Sequence, residues 1–509
     1  MARDRRRLSR TPRGGLELLV LVAFGGSYVV FYLYQSSGSF SFSRLFALGT
    51  TGGFAGVRVA WLGKASATAA TLRERYNTWK NLSASIILAI ATPVFLVITI
   101  SFLSAAIDYL VAGDALTFSV IARRGTIYPV YDVFPLEPTE GGGVLLMRLA
   151  LIFIAATAIF GCASWAINTN RSSLHGLYRN RLIRAFLGGS RAPRERQPNP
   201  LSQFDDRDNI NLCDLWPNRY GPRPGSTPSG APPLSGAVPP QFLVVNCALN
   251  VLKSENLAWQ ERKALSLTCT PRAVGAAALD GGAGCYRRSR EYGSPHDGIS
   301  LGTAMTISGA AVSPNMGYHS SPALSVLMTF FNVRLGAWFG NPGPNGARVL
   351  QLEGPRVSAL PLIQEALGLA TEDKSYVYLS DGGHFENLGI YEMVRRRCRF
   401  IVVSDAGCDP GMTFEDLGNA VRKISIDLRV TIEFDALQIP PRKTPPQAGG
   451  YVAMAKIIYP EADAAPGQLL YVKPGYRGTE PASVRAYAEA NPAFPHEPTT
   501  DQMFGESQF

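Results

Sequence analysis

The residues of this chain best placed to do chemistry are Asp381, Gly382 and Gly383, which follow the run Tyr-Val-Tyr-Leu-Ser. Residues 376–380 are apolar or β-branched enough to form a buried strand. Asp381 would then end that strand, at the edge where open α/β sheets bind their ligands. The two glycines allow a tight turn and a close approach of the backbone to a ligand, which a Cβ would obstruct. This is where a catalytic carboxylate would be expected.

The elements that must position Asp381 alternate between strands and helices. The second helix keeps apolar residues at helical spacing, and Thr413 can cap it. A β-α-β-α-β order predicts a parallel sheet covered by helices. The predicted strands are 241–250, 376–380, 400–404 and 429–434, and the predicted helices are 386–397 and 413–427.

The composition limits the classes of protein to which the chain can belong. It has 509 residues and a formal charge of +10, but no recognised nucleic-acid motif accompanies its arginines. Its seven cysteines include no C-x-x-C pair, which argues against a disulfide framework or a zinc site and favours reduced thiols. We therefore expect neither a metal ion nor a cofactor.

The first third of the chain contains long apolar runs, which predict membrane-spanning helices. Lys and Arg are concentrated in the N-terminal tail, in the second loop and after the last run, but not in the other two loops. This alternation predicts that both termini lie in the cytoplasm. We expect a multi-pass protein of the cell inner membrane with a cytoplasmic C-terminal domain. The four predicted spans are 16–34, 45–62, 84–111 and 144–167.

These patterns divide the chain into four parts. Within the third part, the Arg-rich stretch 169–190 has one apolar helical face. That face could lie on anionic lipid headgroups or pack against the folded domain, and the sequence does not decide between them. The predicted parts are a basic cytoplasmic tail at 1–15, a membrane domain at 16–168, a juxtamembrane helix with a Pro/Gly-rich linker at 169–240, and an α/β domain at 241–509.

Several ordered strings resemble the patatin-like phospholipase family, in a bacterial membrane-associated subgroup near the cytosolic phospholipase A branch. The strings are SDGGHFENLGIYEMVRRRCRFIVVSDA (380–406), NRSSLHGLYRNRLIRAFLG (170–188), ISLGTAMTISGAAVSPNMGYHSSP (299–322), FFNVRLGAWFGNP (330–342) and FPHEPTTDQMFGESQF (494–509). The resemblance implies part of a patatin-like three-layer α/β domain. It also implies a hydrolase in which a Ser-Asp dyad cleaves lipid esters, with Asp381 as the general base and Gly382 and Gly383 beside the substrate.

The nucleophilic serine of the family lies in a G-x-S-x-G elbow that precedes the membrane region, and we assign no such elbow to this chain. We therefore expect the chain to carry the Asp half of a lipid acyl hydrolase and to need a missing or separate N-terminal nucleophile half. Its expected partners are membrane lipids and possibly that second chain, but not nucleic acid. The alternative is a non-catalytic membrane-anchored scaffold or pseudoenzyme.

Three other residues are candidates for catalytic roles, Ser308, His319 near it, and His384 next to the Asp motif. Ser308 is the best candidate for a nucleophile, but Thr306 stands where an elbow has glycine. His384 and His319 could complete a triad with Ser308 and Asp381. That triad matches no pattern of the family, so we expect structural roles for both histidines.

Overall fold

The computed structural model describes residues 140–201, 203–216, 241–318, 320–442, 449–461 and 463–497. Helix α1, Glu140–Ala166, belongs to one compact unit, and the described residues from Ile167 onward belong to another. The two units are described separately.

Among the helices of the described residues, none has both the length and the apolar character needed to cross a bilayer. The predicted architecture with four N-terminal transmembrane helices is therefore wrong for the span at 144–167, which coincides with α1. The first half of α1 contains Glu140, three consecutive glycines and Arg148, so its apolar character is not continuous. The predicted spans at 16–34, 45–62 and 84–111 lie outside the described residues.

The second unit alternates short helices with short strands. Two of the helices begin after a serine whose hydroxyl accepts from a free N–H of the first turn, Ser173 for α2 and Ser300 for α4. The helices are α2 Leu174–Leu182, α3 Leu257–Gln260, α4 Leu301–Ser308, α5 Pro322–Phe330, α6 Ala359–Ala366, α7 Ile390–Arg395, α8 Glu415–Leu428 and α9 Ala482–Ala490. The strands are β1 Val245–Asn250, β2 Ala264–Cys269, β3 Ala273–Ala276, β4 Cys285–Arg288, β5 Ala337–Gly340, β6 Tyr376–Asp381, β7 Phe400–Ser404, β8 Thr431–Phe434, β9 Val452–Ile458 and β10 Gly467–Val472.

The strands form two sheets, each with its own apolar core. The first sheet has the order β4-β3-β2-β1-β6-β5, and its neighbouring strands are antiparallel. The second has the order β7-β10-β9-β8, in which β7 and β10 are parallel and the other pairs are antiparallel. Helix α4 contacts β1 and β6, whereas α7 and α8 contact strands of the second sheet.

The predicted strands all form, but the predicted parallel sheet is wrong. Strand β6 is hydrogen-bonded to β1 on one side and β5 on the other, so neither of its edges can accept β7. The chain therefore leaves the first sheet after β6, and β7 and β8 form part of the second sheet. The sheet that carries Asp381 is antiparallel rather than doubly wound.

The Arg-rich stretch 169–190 packs against the second unit through one of its faces. It consists of α2, a π-helical turn over Ile183–Leu187 and a final 3₁₀ turn. Ile183 is fully buried, and a Cβ on Gly302 of α4 would approach it to 2.4 Å. Of the two interpretations of this stretch, the structure therefore favours packing against the folded domain.

Candidate functional site

Asp381 is the last residue of β6, directly opposite Cys247 of β1. The preceding residues Leu379 and Ser380 are fully buried, whereas Asp381 is partly exposed. Its Oδ1 accepts a hydrogen bond of 2.8 Å from the backbone N–H of Gly383. The strand thus brings a carboxylate to the surface and fixes it at the start of a tight turn.

The space around the turn requires a glycine at position 382. A Cβ on Gly382 would lie 2.7 Å from the backbone carbonyl oxygen of Asn246, so an alanine there would displace the loop. A Cβ on Gly383 would lie 2.6 Å from Oδ1 of Asn387, which is the end of a side chain that can move aside. Gly382 therefore meets a structural need, whether or not a substrate approaches it.

A buried polar network around Ser380 supports the turn that follows Asp381. Ser380 Oγ lies 2.7 Å from Nδ1 of His384 and accepts a 2.8 Å hydrogen bond from Nδ2 of Asn250. Oδ1 of Asn250 in turn accepts from the N–H of Gly317 at 2.9 Å. His384 thus has the structural role expected from the sequence, and His319 lies outside the described residues.

The end of the loop is held by a buried cation and a buried carboxylate. Lys423 of α8 donates a hydrogen bond to the carbonyl oxygen of Phe385. Burial lowers the pKa of Lys423 to about 8, although the charge of Glu386 opposes that shift. Glu386 accepts from the N–H of Leu388 at 2.5 Å and from that of Tyr391 at 3.2 Å. The Asp loop, residues 381–389, is therefore anchored to both the first sheet and α8.

Two hydroxyl groups interact with the strand ends around Asp381. Burial raises the pKa of Tyr178, and the negative charge of Asp381 raises it further. Ser308 donates a 2.8 Å hydrogen bond to the carbonyl oxygen of Asn246, the atom that Gly382 approaches. The structure thus brings Ser308 next to the loop, but its proton is directed at a backbone carbonyl.

The sequence contains a G-x-S-x-G string that our interpretation missed, Gly298-Ile299-Ser300-Leu301-Gly302. A nucleophile elbow holds its serine in a strained turn between a strand and a helix. Ser300 instead has φ −83° and ψ 156°, and its Oγ accepts from the N–H of Thr303 at 3.1 Å. The string therefore forms the N-cap of α4 rather than an elbow.

Tyr178 was also missed as a site residue, because no local pattern links it to Asp381.

A second Ser-Asp-x-Gly turn occurs at the end of β7. Oδ1 of Asp405 accepts from the N–H of Gly407 at 2.8 Å, just as Asp381 accepts from Gly383. Asp405 is buried, and its Oδ2 accepts from Nζ of Lys473 at 2.9 Å and from the hydroxyl of Tyr471 at 2.5 Å. The two turns therefore differ in their carboxylates. That of Asp405 is buried and neutralised by Lys473, whereas that of Asp381 is partly exposed.

A cleft of about 280 Å³ lies beside α2. Its lining includes Arg171, His175 and Arg179 from 169–190, Ser300 and Thr303 at the start of α4, and Glu353. We call it the α2 cleft. Asp381 does not line it, nor does Asp381 line a smaller cavity of about 10 Å³ that includes Gly382 and Asn246. In the part of the chain that the structure describes, no group of three or more His, Cys, Asp or Glu residues could hold a metal ion.

Comparison of the chain with family models, with curated proteins and with solved structures found no match.

Proposed function

We propose that this chain supplies the general base of a lipid acyl hydrolase of the Ser-Asp type, with Asp381 as that base. The observation that carries the proposal is the position of Asp381. It is a partly exposed carboxylate at the end of a buried strand, held by the N–H of Gly383 at 2.8 Å. The proposed substrates are the esters of membrane lipids.

In this proposal the attacking serine comes from a second polypeptide. Ser308 and Ser300 both have hydrogen bonds to other groups, a backbone carbonyl and the α4 cap respectively. A carboxylate acts as a general base only when the hydroxyl lies within hydrogen-bond reach, roughly 2.6–3.2 Å. The serine would therefore have to approach Asp381 from its exposed side, near Tyr178.

The test is reconstitution of hydrolysis with a nucleophile-bearing polypeptide. The purified chain alone should leave a fluorogenic lipid ester intact. Addition of a polypeptide that contains a G-x-S-x-G elbow should produce hydrolysis, and Asp381→Asn should lower the rate by roughly 10²- to 10⁴-fold, because the general base is lost. Asp373→Asn, which changes another exposed carboxylate, is the matched control and should leave the rate unchanged.

Two results would contradict the proposal. The first is reconstituted hydrolysis that survives Asp381→Asn. The second is hydrolysis by the chain alone that is lost on Ser308→Ala or Ser300→Ala, since this would place the nucleophile within the described residues.

A non-catalytic scaffold is the second candidate, and one observation favours it. The Asp381–Gly383 hydrogen bond is an ordinary Asx turn, and the same bond occurs at Asp405, where burial beside Lys473 leaves no room for a substrate. If no elbow polypeptide yields hydrolysis and Asp381→Asn only destabilises the fold, the scaffold is the better account.

A further inference from the structure

The α2 cleft contains a cation, Arg179, that forms no ion pair with another described residue. Nε of Arg179 is buried and has no hydrogen-bond partner, and no ion pair joins Arg179 to any residue of the described ranges. Burial lowers the pKa of this guanidinium, so the protein holds the charge at a cost. Buried donors without a partner are rare in folded proteins and often indicate an ion or ligand.

The other charges of the cleft do not neutralise Arg179. Glu353 accepts a 2.5 Å hydrogen bond from Arg171, so these two residues form a pair of their own. Asp297, at the exposed rim, has its own interaction. The charges of Glu353 and Asp206 raise the pKa of Arg179, against the effect of burial, but neither carboxylate forms an ion pair with it. One positive charge therefore remains available on this wall of the cleft.

His175 adds a hydrogen-bonding group with a defined polarity. It is 4% exposed, and its Nδ1 lies 2.7 Å from the carbonyl oxygen of Leu335. Since a carbonyl oxygen can only accept, Nδ1 carries the proton and Nε2 is an acceptor. Burial lowers the pKa of His175 to about 4, so the ring is neutral at physiological pH. The cleft thus contains an acceptor as well as a cation.

The start of α4 contributes its dipole but not its N–H groups. The N–H of Leu301 donates to the carbonyl oxygen of Ile210, that of Gly302 to Asn209, and that of Thr303 to Ser300. Side chains must therefore make the direct contacts with a ligand, while the helix N-terminus favours negative charge nearby.

We propose that the α2 cleft binds a phosphate group, either of a small organic phosphate or of a lipid headgroup. A phosphate offers oxygens to a guanidinium and, when it carries one proton, a hydroxyl that can donate to the neutral imidazole of His175. The volume of about 280 Å³ has room for a phosphate with a small organic group attached. This site is separate from Asp381 and does not depend on the proposed hydrolase.

The test measures binding of sn-glycerol 3-phosphate and of inorganic phosphate to the purified full chain by titration calorimetry. Arg179→Gln should weaken binding by about tenfold to a hundredfold, because it removes the charged donor. Arg181→Gln is the matched control, since Arg181 is exposed on the same helix and does not line the cleft. Thermal unfolding of each variant establishes that it is folded.

A flotation assay with phosphatidic acid vesicles distinguishes the two sources of phosphate. Binding of glycerol phosphate without flotation indicates a small ligand, whereas flotation that Arg179→Gln abolishes indicates a headgroup. Failure to bind either probe, or equal affinity of wild type and Arg179→Gln, would overturn the proposal.

Discussion

At the scale of single residues, Asp381 and Asp405 show that the same local chemistry can serve different purposes. Both accept from an N–H two residues later, so the Ser-Asp-x-Gly string specifies a turn in each case. The difference comes from residues distant in sequence, Lys473 and Tyr471, whose side chains donate to Asp405. A local motif can therefore predict the turn, but not which carboxylate remains exposed.

The protonation of His175 gives a prediction at the same scale. Its pKa falls from 6.5 to about 4 on folding, because burial disfavours the charged ring and Arg179 and Arg334 repel it. Between these two values the unfolded chain binds more protons than the folded chain, so stability should fall as the pH drops from about 6.5 to 4. Relative to His175→Asn, which can still donate to Leu335, the wild type should lose on the order of 1–3 kcal/mol over that range.

Chemical denaturation of both proteins at several pH values between 4 and 7 would measure this difference. A constant difference in the free energy of unfolding across that range would show that His175 does not titrate as its burial implies.

At the scale of elements, β6 and the Asp loop depend on the Ser380 network. Ser380→Ala removes the partner of His384 and of Asn250, both buried, so each loses a hydrogen bond that water cannot replace. We expect a loss of about 1–3 kcal/mol in the free energy of unfolding. Ser404→Ala, at the exposed end of β7, is the matched control and should change stability by less than about 0.5 kcal/mol. Equal effects of the two substitutions would refute a stabilising network.

The elements also show what sequence reasoning can reach. The strands at 376–381 and 400–404 and the helix over Glu415–Leu428 could be predicted, because their apolar spacing is local. Their pairing could not, since it depends on which edges of β6 are already occupied by β1 and β5. The candidate site follows the same rule: Asp381 was found from its own motif, whereas its proximity to Tyr178 arises only when α2 packs on α4.

At the scale of the second unit as a whole, the two sheets have separate cores, and the Asp loop is the segment of chain that connects them. Polar contacts also connect the end of α7, which packs on the second sheet, to strands of the first sheet. Arg395 donates to the hydroxyl of Tyr286 at 2.9 Å, and Arg396 donates to Thr268 at 3.3 Å. The position of Asp381 therefore depends on how firmly the second sheet and its helices are held against the first.

The strongest of these connections is the ion pair between Arg262, which precedes β2, and Asp427 of α8. Nη1 of Arg262 lies 2.6 Å and 2.8 Å from the two carboxylate oxygens, and the two side chains are only 16% and 24% exposed. Partial burial reduces screening by water and salt, so this pair should be stronger than a surface pair.

A double-mutant cycle with Arg262→Ala and Asp427→Ala should give a coupling energy of about 1 kcal/mol or more at low salt. The same cycle on Arg288 and Glu291, which are 83% and 54% exposed and 3.7 Å apart, should give a value near zero. If both cycles give the same coupling energy, the Arg262–Asp427 pair does not hold the two sheets together.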